Sequence, residues 1–156
     1  VFALTSVLVT PIKPVFAYRI FVGKKKHDLR KLTSKTPQVR AGDRVVLYVT
    51  GTIKAFMGEY TVGGVITGKP DYIIRVLSET LRSGVSEEDF SYIKGSELAL
   101  AIEVLNPIVY KVPIAMKEVL RIFPDYNPPI GIQKLSAHEP VVTLIFDKAR
   151  SLSVKH

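Results

Sequence analysis

The period of apolar and polar positions changes several times along the chain, and each change predicts an element. Residues 4–9 (LTSVLV) are aliphatic and β-branched, the composition of a buried strand. TPIKP then predicts a turn, with Pro14 at the first position of a helix, where its missing N–H is no loss. Phe16, Ala17, Ile20 and Phe21 recur at helical spacing through residues 14–22, and Gly23 can take the left-handed conformation that ends the helix. Residues 26–32 alternate, which predicts a strand with Lys26, Asp28 and Arg30 on one side and His27, Leu29 and Lys31 on the other.

A polar loop over residues 34–42 closes at Gly42-Asp43. RVVLYVT (44–50) predicts a strand, and Gly51-Thr52 turns into a longer one over 53–66, where Gly58, Gly63 and Gly64 predict a bulge or a curved wall. Helices are expected over 70–81 and 87–93, the second opened by Ser86 with Asp89 as its capping partner. Residues 97–104 read as a strand whose continuation through IVYKV is broken by Pro107 and Pro113. A helix over 115–123, a proline-bearing loop over 124–140 and a last strand over 141–146 complete the pattern. About six strands, with short helices and no regular βα alternation, predict an α+β fold: a small β-barrel decorated with short α-helices. No repeat or linker divides the chain, so residues 1–150 read as one domain and residues 151–156 as a basic, frayed tail.

Composition narrows the function. An apolar share of 47% with 23% charged residues describes a globular protein. No apolar run reaches the roughly 18 residues of a membrane span, and the apolar opening lacks the basic segment and cleavage pattern of a signal peptide. A cytoplasmic location is the default expectation. Cysteine is absent, which excludes disulfide and thiolate chemistry, and His27, His138 and His156 are too scattered to suggest a metal site. With no Cys or Trp, and two each of Asn and Gln, the composition leans towards the thermophilic. Charge is the informative quantity. From Lys13 to Arg44 ten basic residues face only Asp28 and Asp43, so this segment carries the whole net charge of +8. Such asymmetry is the footprint of a polyanion binder.

Two candidate chemistries fall away. Residues 63–69 match GxxxxGK, but Pro70 stands where a phosphate-binding loop needs Ser or Thr, and Val65-Ile66 continues a strand. No GxSxG occurs, and the histidines suggest no obvious Ser-His-acid triad. Glu87-Glu88-Asp89 suits a first helical turn, where the helix dipole favours it, and one of the three carboxylates could instead reach a cleft. Among the aromatic residues, Tyr18 is the candidate stacking platform, since it lies off the apolar face of the first helix.

The segment TPIKPVFAYRIFVGKKKHDLRK, with AGDRVVLYVT and MGEYTVGGVI after it, closely resembles the N-terminal part of ASCH domains of the PUA-like superfamily. The family pattern is a Lys-Pro turn, a helix, then Gly-x-Lys-x-x-Glu-x-Arg entering a strand. Here Lys13-Pro14, Gly23, Lys25 and Arg30 occupy those places, and Asp28 replaces the glutamate. The resemblance covers about residues 4–66, and the whole chain is similar to an archaeal branch of the superfamily. It implies a PUA-like pseudo-barrel with a cleft between the first helix and the sheet. It also implies association with RNA or modified nucleotides. No cofactor is expected.

On that footing Lys25, Asp28 and Arg30 are expected to form the pocket of an RNA- or nucleotide-binding module. Lys13, Lys24, Lys26, Lys31 and Arg40 would hold phosphates, with Tyr18 offering a ring. Some small bacterial ASCH proteins are amidohydrolases of acetylated cytidine that use a lysine, a threonine and a glutamate. An alternative is therefore an enzyme acting on a modified nucleoside such as N4-acetylcytidine. Lys25, activated by desolvation, and Asp28, at the threonine's place, would then be catalytic, with Glu87 and Glu88 in the region of the glutamate. A third reading is a protein-interaction domain whose basic face meets an acidic partner.

Overall fold

The computed structural model describes residues 6–154. Its framework is a six-stranded mixed sheet in the order β2-β5-β4-β3-β1-β6. The strands are β1 (Ser6–Ile12), β2 (His27–Leu32), β3 (Arg44–Val49), β4 (Ala55–Gly68), β5 (Leu98–Ala115) and β6 (Gln133–Ser136). Only β1 and β3 run parallel; the other pairs are antiparallel. Five helices complete the described residues: α1 (Pro14–Phe21), α2 (Pro70–Glu79), α3 (Glu87–Ile93), α4 (Met116–Ile122) and α5 (Pro140–Val154). The α+β class, the strand number and the helices before Pro124 agree with the hydrophobic pattern.

Strand alternation divides the core into two sides. Val7 and Val9 of β1, with Val46 and Tyr48 of β3, pack against α4 and α5 through Val119, Val142 and Ile145. The intervening Leu8, Val45 and Leu47 face the other way, onto Ile20 of α1 and Tyr60, Leu100 and Ile102. Strands buried on both faces read as continuous apolar runs, which is why RVVLYV has no polar side. A third cluster seats α2 and α3 over β2 and β5, where Ile73, Leu77, Phe90 and Ile93 meet Leu29, Ala99 and Ala101.

The sheet curves strongly but does not close as a hydrogen-bonded barrel. Register shifts between Phe56 and Gly58 and between Val62 and Val65 flank the glycines that predicted a bulge, and such shifts bend a strand and increase its twist. β2 and β1 are separated by three strands along the ladder, yet they approach within the reach of one arginine side chain.

Four local expectations are corrected. TPIKP is not a turn: β1 continues through Ile12, paired with Val49, and only Lys13 separates it from α1. β5 is not ended at Val104. Pro107 lies where one residue of β4, Tyr60, faces two of β5, with Asn106 at φ 48°, and Pro113 lies in a second irregular stretch, so neither has to donate to a regular ladder. Inside the expected loop 124–140, Gln133–Ser136 forms β6 on the edge of β1. Residues 141–146 are helical: Val141, Val142 and Ile145 are buried at i, i+1 and i+4, after a proline suited to a helix start. Tertiary burial of that stripe overrides the β-propensity of the two valines. The helix includes the described part of the expected tail as far as Val154, and the Leu4-Thr5 end of the first expected strand lies outside the described residues.

The α2–α3 connection is docked directly on the start of β2. Gly84 adopts φ +69°, and a Cβ there would overlap the carbonyl oxygen of Lys24 and the amide nitrogen of Lys26. Beside it, the Nδ1–H of His27 donates to the carbonyl of Ser83 at 2.8 Å. Replacing Gly84 with Ala adds a left-handed penalty of roughly 1–2 kcal/mol and a backbone collision that nothing flexible can absorb. Urea unfolding of Gly84→Ala should show a loss of at least about 2 kcal/mol, whereas Gly131→Ala, which meets no neighbour within 4 Å, should cost little.

Candidate functional site

A cleft of about 620 Å³ opens between α1, the far end of β1, β2 and α3. That volume lies within the usual range for small-molecule sites. The short fold elements explain its place. β6 pairs only with Ser6 to Val9, so β1 from Thr10 onward has no strand on that edge, and β2 stands across the gap.

The floor is built from two buried ion pairs. In the first, Asp28 and Arg30 form a bidentate contact, Nε to Oδ1 at 2.9 Å and Nη2 to Oδ2 at 3.1 Å. Arg30 Nη1 also donates to the Thr10 hydroxyl and the Pro11 carbonyl of β1, each at 2.7 Å. The Tyr60 hydroxyl donates to Asp28 Oδ2 at 2.9 Å from within the core. Burial pushes the Asp28 carboxyl up, but the Arg30 charge and hydrogen bonds, with Lys25 and Tyr60, outweigh it and hold the group below its ordinary value. For Tyr60 burial and the Asp28 charge act together and raise the phenol well above its usual range.

The second pair joins Lys25, at the approach to β2, to Asp89 of α3. Asp89 also caps its own helix, accepting from the Ser86 amide at 2.7 Å and the Ser86 hydroxyl at 3.0 Å. Arg19 of α1 donates to Ser86 Oγ at 2.9 Å and approaches Asp89 Oδ2 at 3.4 Å. One carboxylate thus ties α1, the start of β2 and α3 together. The Lys25 ammonium lies 5.1 Å from the centre of the Phe16 ring, within cation–π range.

The rim differs from the floor. Lys13, Lys31 and Lys35 line the cleft and are exposed, and Tyr92 stands on the opposite wall with Lys31 Nζ 5.4 Å from its ring centre. Of the residues singled out in the sequence, Lys13, Lys25, Asp28, Arg30 and Lys31 come together here. Lys24, Lys26 and Arg40 are exposed outside the lining, as is Tyr18, whose exposure of 62% leaves its ring in solvent. Arg40 instead contacts Gln38 at 2.8 Å. Of the three acidic residues in the first turn of α3, the one that enters the cleft is Asp89; Glu87 and Glu88 are exposed, and Glu87 pairs with Lys94. Phe16, Tyr92 and the loop through Ile130 and Ile132 were not singled out. The helical spacing of Phe16 marked it only as core, and nothing local distinguishes the others. The GxxxxGK match lies in extended β4 as far as Gly68, which removes it as a phosphate loop.

The fold has well-matched counterparts among solved structures. The ASCH protein of Zymomonas mobilis is 25% identical, with a TM-score of 0.69 over 93% of this chain and 94% of its own. A serine-to-alanine variant of the same protein gives 21% identity and a TM-score of 0.71 over 90% and 93%. The N-terminal domain of Staphylothermus marinus McrB is 13% identical, with a TM-score of 0.59 over 96% and 95%. No protein-family model matches the chain, and no curated protein does.

The Asp28 shift has a direct consequence for stability. Its carboxyl titrates below 3.8 when folded, so the unfolded chain binds the more protons as acid is added. The stabilisation it provides is complete above the unfolded value and is lost as the pH falls through the folded one. Urea midpoints measured between about pH 7 and pH 2 should show an acid limb from about pH 4 downward. Asp28→Asn should be less stable at neutral pH and should lack this part of the limb.

Proposed function

Given the ASCH-domain fold, we propose that this chain is an RNA- or nucleotide-binding module and that the cleft beneath α1 is its binding site. The observation that carries this reading is the charge and shape of the cleft lining. Five cations (Lys13, Lys25, Arg30, Lys31 and Lys35) face two carboxylates, Asp28 and Asp89, and both carboxylates are engaged within the floor. The excess positive charge therefore lies at the exposed rim, where phosphate oxygens would be met by flexible lysines. Phe16 and Tyr92 supply apolar walls and, at Tyr92, a partly exposed ring for a base. Arg30, which the sequence placed among the ligand contacts, is better described as a positioning residue, since four of its five N–H groups are held by Asp28, Thr10 and Pro11.

Binding of a short fluorescent single-stranded RNA, followed by anisotropy across a salt series, tests the proposal. Affinity should fall with salt, at a slope of about 0.7 per neutralised phosphate. Replacing Lys13, Lys31 and Lys35 together with Ala should reduce that slope by about 2, while Lys24→Ala and Lys26→Ala should change it less. An affinity indifferent to salt would remove the electrostatic basis of the reading.

A second reading, amide hydrolysis on a modified nucleoside, is favoured by one contact: Lys25 against Asp89 at the cleft floor. This supplies a lysine and a carboxylate like two members of the set that the ASCH resemblance implies, with Asp89 in place of Glu87 or Glu88. The threonine's place is held by Asp28, bound by Arg30 and Tyr60. Incubation with N4-acetylcytidine separates the two readings. A binder releases no acetate, whereas an enzyme gives turnover that Lys25→Ala abolishes.

A further inference from the structure

The apolar residues leading into β6 are treated unequally. Pro129 is buried and Ile132 packs against the core cluster that holds Ile12 and Ile20, whereas Ile130 between them is fully exposed. A lone apolar side chain in solvent is ordinary and asks for no explanation. This one is distinguished by its place, because Ile130 lines the cleft. Topology puts it there. Gln133 pairs with Val9 at the last rung between β6 and β1, so the residues before it run along the part of β1 that has no strand on that edge. Ile130 and Ile132 thereby share the lining with Pro11 and Ile12 on the β1 side of the cleft. Tyr92 of α3, beside Lys31 of β2, belongs to the other side.

The loop that carries Ile130 is held at its base. Pro128 and Pro129 fix φ at two successive positions. The Gln133 side-chain amide donates to the Asn127 carbonyl at 2.9 Å and accepts from the Tyr126 hydroxyl at 2.9 Å. Tyr126 in turn packs against the core cluster that includes Val119 of α4. An apolar group kept in water by a preorganised loop gains on being covered, with little further ordering to offset the gain. The rim lysines carry charge and leave that side chain uncovered, so the missing cover is a ligand with an apolar face.

We propose that loop 128–131 is a preformed apolar clasp, with Ile130 lying against one face of the ligand's ring and Tyr92 on the side of the other. This rests on the nucleotide-binding reading above and adds a contact that salt does not screen. Binding then has two separable parts: the rim lysines set its salt dependence, and Ile130 supplies affinity that is the same at every salt concentration. The site accordingly takes phosphorylated ligands that carry a planar ring in preference to ring-free sugar phosphates.

The RNA anisotropy series repeated with Ile130→Ala tests the clasp. Affinity should fall at least about fivefold at every salt concentration with the slope unchanged, and Ile130→Leu should stay within about twofold of the unaltered protein. Because Ile130 is fully exposed in the free chain, the urea midpoint of Ile130→Ala should not fall; a lower midpoint would make Ile130 part of the core and overturn the inference. The chain contains no tryptophan, so Ile130→Trp introduces a single indole. Acrylamide should quench that indole less once UMP is bound, and ribose 5-phosphate at the same concentration should give no such protection. Full affinity in Ile130→Ala, a loss confined to low salt, or an indole quenched equally with and without bound UMP would each overturn the clasp. If the bulkier indole prevents binding, the alanine and leucine variants still decide. If neither RNA nor UMP binds the unaltered protein, the nucleotide reading itself fails and the clasp with it, whereas binding indifferent to Ile130 removes the clasp alone.

Discussion

The backbone ladder runs from β2 through β5, β4 and β3 to β1 and β6, and no rung of it joins β2 to β1. The guanidinium of Arg30 spans that gap instead. It holds Asp28 on its own strand with two parallel contacts and the Thr10 hydroxyl and Pro11 carbonyl on β1 with two more. Burying a charge is unfavourable unless it is paired and hydrogen-bonded, and here both conditions are met on every side. Pro11 suits the arrangement, because it offers a carbonyl to the gap and has no N–H to leave without a partner. The closing contact is thus made by side chains, and the cleft is the space that the missing rung leaves.

Asp89 plays the corresponding part for the helices. Capping alone would place this acid at the third position of α3. By accepting also from Lys25 and Arg19, it sets α3 against the approach to β2 and against α1. The backbone contact at Gly84 and the bond from His27 to Ser83 fix the preceding loop from the other side. These constraints leave the Lys25 ammonium little freedom, which is what a recognition site requires of its donors.

Much of the frame was legible in the sequence. Proline at N1 of α1, the positive φ of Gly23 and the limits of α3 depend on neighbours within a few residues. So does the alternation that sets Asp28 and Arg30 on one side of β2. The readings that failed are those in which a local preference met a distant surface. Val141 and Val142 favour a strand by propensity, yet they lie in a helix because its stripe covers Val7, Val46 and Ile114. Pro107 and Pro113 are strand breakers, yet β5 continues past them because β4 accommodates irregular pairing there.

Along the chain, residue order alone determined a basic N-terminal third, a helix from Pro14 leading to a strand that carries Asp28 and Arg30, and the absence of any thiol or phosphate-loop chemistry. These follow from composition and from periods only a few residues long. Tertiary structure alone decided which of the lysines meet in the cleft and which stay in solvent. It also chose Asp89 over Glu87 and Glu88, and made Arg30 a brace between strands. Lys25 and Asp89 lie 64 residues apart, and Arg30 lies 20 from Thr10. Whether such groups touch is set by how far the sheet curls and where α3 docks, and no local pattern encodes either.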